Sequence, residues 1–202
     1  MISILFVAKN SVYKTMTDST GESLDCWDEE RDALNWSGGN PIVAHPPCRL
    51  WSRWLRHLSS APVSEKELAR FAVEQVRKFG GVLEHPACSL LWEECSLPVP
   101  GKRDEFGLSI SVRQQWFGHK AEKATWLYVC WCTQLPDIPF CLGDPLVRGH
   151  WGHPSVKHPN LHRLSEHERQ ATPPAFARWL VETAERCVTP EARQSPGTVF
   201  PR

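Results

Sequence analysis

Apolar residues along this chain come in short runs broken by proline, glycine and charge. Residues 2–8 (Ile-Ser-Ile-Leu-Phe-Val-Ala) are too few for a helix and rich in strand formers, which predicts a buried first strand. Residues 24–33 predict a brief strand giving way to a turn of helix, Gly38-Gly39-Asn40 a turn, and residues 41–44 a second buried strand stopped by Pro46-Pro47. The clearest helix is 64–79: Ser64 and Glu67 make a capping box, and Leu68, Phe71, Ala72, Val76 and Phe79 recur at helical spacing. Gly80-Gly81 stops it, and residues 81–84 return as a strand into His85-Pro86. Residues 124–131 predict a further strand. A last helix follows Thr172-Pro173-Pro174, with Thr172 as its cap and Phe176, Trp179, Leu180 and Ala184 on its apolar side. Between these, 133–163 reads as an irregular Pro/Gly/His-rich excursion, and 189–202 as a loose tail.

Strand, helix-bearing connector, strand is the parallel crossover unit, so the pattern predicts one compact α/β domain over 1–188, a Rossmann-like, mostly parallel sheet with flanking helices. Ligands of such sheets sit at the carboxyl ends of the strands. Both His-Pro segments are expected there, because proline cannot continue a central strand.

Composition narrows the function. Among 202 residues, Lys plus Arg and Asp plus Glu number 23 each, so contact with nucleic acid would need a local basic surface. The apolar start is interrupted by Lys9, too short for a membrane span and unlike a secretory leader, which predicts a cytoplasmic protein with no membrane partner and with its eight cysteines as thiols. Ten tryptophans suggest surfaces that stack on flat rings as well as core.

The candidate site is Ala44-His45-Pro46-Pro47-Cys48 with Glu84-His85-Pro86. The Pro-Pro pair holds the backbone stiffly extended and presents Cys48, a nucleophile if its thiolate is stabilised, with Arg49 as an adjacent cation. Glu84 supplies a carboxyl group to the same cleft. The bland alternative makes Cys48 a small buried hydrophobe and Glu84 a surface charge.

These residues resemble a known family. Pro46-Pro47-Cys48 followed by Ser52 is similar to the catalytic loop of the C5-cytosine DNA methyltransferases, and Glu84-His85-Pro86 to their Glu-Asn-Val motif. Residues 115–126, which carry His119, Lys120 and Lys123, resemble their tyrosine- and arginine-bearing segment, 162–168 their Arg-x-Leu-Thr-x-x-Glu stretch, and 172–177 the segment before their last helix. The resemblance implies a methyltransferase-like core in which Cys48 attacks C6 of a flipped pyrimidine while Glu84 hydrogen-bonds the ring nitrogen. His45, Pro46, Pro47, Arg49, Trp51, His85, His119, Lys120 and Lys123 would line the ligand, with Lys123 and Arg49 on phosphate or the ring carbonyl. It also implies S-adenosylmethionine as cofactor, with Asp25 or Asp28 as the ribose-binding acid. Residues 4–13 contain no glycine where a donor-cradling loop would lie, and no separate target-recognition domain follows. The chain is also similar to small phage and prophage proteins carrying His-Pro-Pro-Cys-Arg and Leu-Glu-His-Pro.

Two other readings stay open. His45-x-x-Cys48 and His85-x-x-Cys88 offer two imidazoles and two thiolates, a set suited to tetrahedral zinc. The cluster His150, His153, His158 and His162 is a weaker metal candidate. Alternatively the fold binds a nucleotide or nucleic acid without catalysis, as in a phage counter-defence protein whose partner is a host defence component or its nucleotide signal. Trp51, Trp54, Trp92, Trp116 and Trp126 would then stack on bases beside Arg49, Arg53 and Arg56, unless Trp51 or Trp54 belongs to the core.

Overall fold

The computed structural model describes residues 1–54, 56–141 and 164–189. Six strands form one sheet: β1 (Ser3–Leu5), β2 (Asp25–Trp27), β3 (Ile42–Ala44), β4 (Gly81–Pro86), β5 (Gly107–Arg113) and β6 (Ala124–Cys130), in the order β2-β1-β3-β4-β6-β5. The pairs β1–β2, β1–β3 and β3–β4 are parallel. β6 runs antiparallel to both β4 and β5, so the last strand is slotted between two that share the direction of the rest. The sheet is therefore mixed, with five strands pointing one way. Among the described residues no helix is long and apolar enough to cross a membrane.

Helices cover both faces. α1 (Lys66–Phe79) lies on the face of Leu5, Ile42, Ala44 and Leu83, while α4 (Pro174–Glu185) packs on Ile4, Val43, Val82 and Leu127. Two short helices, α2 (Leu91–Glu94) and α3 (Glu166–Gln170), complete the set. The β1–β2 connection carries Tyr13 onto the α4 face, whereas the β2–β3 connection carries Ala33 and Trp36 onto the α1 face. Chain order reverses direction between β1 and β3, and the connection changes face with it, as uniform crossover handedness requires. β1 and β3 thus flank the switch point at which doubly wound sheets open a crevice.

Several expected boundaries shift. The first strand stops at Leu5 rather than Ala8, because Phe6 turns to φ 62°. α1 is entered through a 3-10 turn at Val63–Glu65, and no side chain caps it; Ser64 does not form the expected box. Its buried stripe is Ala69, Ala72, Val73 and Val76, rotated from the expected one, with Phe71 and Phe79 at the margin. Small residues let the helix lie close on the sheet. α4 buries Phe176, Trp179, Leu180 and Ala184 as expected, but Pro173 rather than Thr172 occupies the cap position.

β4 continues through His85 to Pro86 instead of ending at Glu84. Pro86 is tolerated because successive backbone N–H groups point to opposite neighbours. The Ala87 amide bonds to the Ala124 carbonyl at 3.0 Å, so the nitrogen of Pro86 faces the side where β3 has already ended. β5 is an additional strand, in which Leu108, Ile110 and Val112 alternate with Ser109 and Ser111 at the period of a strand. All eight cysteines are thiols, with no disulfide among the described residues.

Candidate functional site

Alternation along strands decides which side chains meet. Val43 and Val82 face α4, so His45 and Glu84, two positions further on each strand, project to that same side at the carboxyl edge. His85 falls on the α1 side. The His45 Nδ1 lies 3.1 Å from Glu84 Oε2, and its Nε2 lies 2.9 Å from the hydroxyl of Tyr13. Gln114, just beyond β5, donates from Nε2 to Glu84 Oε1 and to Thr125 Oγ1, both at 3.1 Å. Thr125 in turn donates to the Lys123 carbonyl. The result is a continuous chain, Tyr13–His45–Glu84–Gln114–Thr125, drawn from five separate segments. Tyr13 and Gln114 were missed in the sequence, where nothing in their spacing links them to the His-Pro segments.

Electrostatics tie Cys48 and Lys123 to this chain. Burial works to raise the Glu84 carboxyl, but the hydrogen bond and charge of His45, followed by the Lys123 ammonium, outweigh it and hold it down at about 2. Loss of solvent and then the Glu84 carboxylate push the Cys48 thiol up, while Lys123 pulls against them. Lys123 has its ammonium lowered by burial, opposed by the charges of Glu84 and Cys48. Its Nζ donates to the carbonyls of Gln170 and Ala171 at 3.3 and 3.1 Å. Glu84 and His45 keep 15% and 14% of their side-chain surface open, enough for a ligand edge to reach them.

Other candidates are placed elsewhere. Arg49 forms a two-pronged pair with Glu65, which takes up its guanidinium. Trp51 is 1% exposed in the α1-side core with the Lys66 ammonium 4.5 Å above its ring, so it offers no stacking face, whereas Trp54 stands 65% exposed. His119 is structural: its Nδ1 accepts the Ala121 amide and its Nε2 reaches the Glu168 carbonyl at 3.2 Å. Lys120 pairs with Glu168 on the surface, 2.7 Å away. His85 is 1% exposed, 2.8 Å from Ser89 Oγ, and burial pushes its imidazole down to about 4. Pro46 is buried and Pro47 half-buried, shaping the backbone between His45 and Cys48.

The two aspartates separate. Asp25 pairs with Ser3 at the amino-terminal edge, opposite the site, and its oxygens are taken by Ser3, Trp27 and Arg31. This corrects the expectation that it faces a cofactor. Asp28, just past β2, is at the proper edge, yet it accepts the Glu30 and Arg31 amides and pairs with Lys14. Beyond β1 the chain makes a 3-10 turn at Val12–Thr15 in place of a glycine loop and long helix. These residues do not fit a methyl-donor cradle. The zinc set does not form either: both nitrogens of His45 are engaged, and among the described residues no three His, Cys, Asp or Glu converge on a common point. The histidine cluster 150–162 lies outside the described residues. A hollow of about 500 Å³ beside Gln134, Asp137, Glu182 and Arg186 shares no residue with this site.

Comparison with known proteins returns no matching family model, no matching curated protein and no matching solved structure.

Proposed function

We propose that this chain acts on a pyrimidine, in a nucleotide or an unstacked nucleic acid, with Cys48 as nucleophile and Glu84 against the polar edge of the ring. The observation that carries this reading is the His45–Glu84 pair at the carboxyl edge beside the switch point of the sheet, with the charges of Glu84 and Lys123 acting on Cys48. Three segments that resemble the C5-cytosine DNA methyltransferases contribute Cys48, Glu84 and Lys123. A fourth, 162–168, is tied to the third through the Lys120–Glu168 pair.

The chemistry follows from the groups present. Cys48 is exposed rather than a buried hydrophobe, and Lys123 favours its thiolate against the desolvation and the Glu84 charge, which still leave the thiol raised. The thiolate adds to C6, and the C5–C6 electron pair moves to C5, which takes a proton from water. Loss of the original C5 proton to water and expulsion of the thiolate restore the ring. The net event is exchange of the C5 hydrogen with solvent. S-adenosylmethionine is assigned no step, because the segments after β1 and β2 do not fit it.

In D2O, mass spectrometry of a pyrimidine oligonucleotide is expected to show deuterium gain at C5 with the native protein and none with Cys48→Ala. Covalent capture of a 5-fluoropyrimidine oligonucleotide with added S-adenosylmethionine would extend the activity to methyl transfer. Absence of exchange from a folded protein overturns the reading. A non-catalytic nucleotide binder on the same fold, of the counter-defence kind, is the second reading, favoured by the raised Cys48 thiol. It predicts a ligand-induced rise in melting temperature that survives Cys48→Ala.

A further inference from the structure

Both oxygens of Glu84 are already met by the protein, Oε2 by His45 and Oε1 by Gln114. The orientation of Gln114 is set by its surroundings. With the Thr125 hydroxyl donating to the Lys123 carbonyl, its oxygen accepts from Gln114 Nε2. A flipped amide would turn the Gln114 carbonyl against the ionised Glu84 Oε1, an acceptor facing an acceptor. The amide is therefore locked with Nε2 toward Glu84, although this leaves its own buried Oε1 without a partner, at 1% exposure. Any proton shared between Glu84 and its neighbours lies on the His45 side, in the Oε2–Nδ1 bond. Toward a ligand, Glu84 shows lone pairs only.

We infer that the ring taken by this site is a uracil-type imide, which offers an N–H to Glu84, rather than cytosine, whose ring nitrogen offers a lone pair. This rests on the proposed pyrimidine reading and names its substrate class. A cytosine N3 would face an acceptor with no hydrogen between them, whereas the N3–H of uracil donates to the remaining lone pair of Glu84. The ionised state of Glu84 agrees with that polarity. Gln114 acts as a positioning residue: it touches no ring, but its locked amide keeps Oε1 of Glu84 an acceptor.

The test compares three otherwise identical single-stranded oligonucleotides carrying one 2′-deoxyuridine, one 2′-deoxycytidine or one N3-methyl-2′-deoxyuridine. C5 deuterium exchange by the full chain is measured for each and divided by the exchange that free cysteine catalyses in the same strand. The normalised rate is expected to be at least about tenfold higher for deoxyuridine than for deoxycytidine, because the cytosine N3 lone pair meets the Glu84 carboxylate with no hydrogen between them. N3-methylation, which removes only the N–H, should abolish the advantage. Gln114→Glu places a second carboxyl beside Glu84, and the pair retains a proton. That variant should move the ratio toward deoxycytidine. Equal or faster normalised exchange of deoxycytidine overturns the inference and leaves the pyrimidine reading standing, as does an N3-methyl ring that exchanges like deoxyuridine. Exchange in none of the strands removes the pyrimidine reading and this inference together.

Discussion

At the scale of single residues, two adjacent positions in β4 show how one step along a strand changes a group's chemistry. Glu84 reaches a partly open edge and keeps its charge; His85 faces the packed side and loses it. An unfolded imidazole titrates at 6.5, and burial lowers that of His85 to about 4, with the Glu84 charge opposing. Between these values the unfolded chain binds the proton and the folded one does not. Stability should therefore be unaffected by His85 above the unfolded value, fall as pH drops from 6.5 towards 4, and level off below, a loss of up to about 3 kcal/mol. Urea denaturation at pH 7, 6, 5 and 4 measures the slope. A His85→Gln variant should be flatter across that interval whatever its starting stability.

At the scale of elements, the register of β3 against β4 delivers His45 and Glu84 to one place, and it depends on an absent side chain. Gly81 pairs with Ile42 at φ 125°, and a Cβ there would stand 1.9 Å from the Ile42 carbonyl oxygen. Gly39 has φ 105° with open space around it. Gly81→Ala should cost about 3 kcal/mol or more, from clash and backbone strain together. Gly39→Ala, which meets strain alone, should cost about 1 kcal/mol. Denaturant midpoints of the two variants separate these terms. An equal loss in both would mean that the close approach of β3 and β4 does not set the register.

At the scale of the whole molecule, the balance of 23 cationic and 23 anionic residues bears on the nucleic-acid form of the proposed substrate. Arg49 and Arg53 are already paired with Glu65 and Glu93, and Lys120 with Glu168. Few cations remain near the site for phosphates. If two or three contacts form, the logarithm of the binding constant for a single strand should fall with log salt at a slope of about −1.4 to −2.1. Fluorescence titrations at several salt concentrations give that slope, and a value beyond about −5 would mean that many more phosphates are contacted than these cations can meet.

How much was legible follows from the range of each interaction. Nearest-neighbour rules placed β3, β4, β6, α1 and α4 within a few residues, and proline after histidine marked the carboxyl edge. Cys48, Glu84 and Lys123 could be named because each stands in a short motif. The alternation of β5 is equally local. Tyr13 and Gln114 were out of reach, since they meet His45 and Glu84 only through contacts 30 or more residues apart in the chain. The retirement of Trp51 to the core, the pairing of Arg49 with Glu65 and the placing of Asp25 on the wrong edge are likewise decisions of packing. By itself the sequence determined the main strand and helix segments to within a few residues, because proline and side-chain period act at that range. Only the tertiary structure decided which groups surround Glu84 and which way their protons point, because those partners come together when separate strands share one edge.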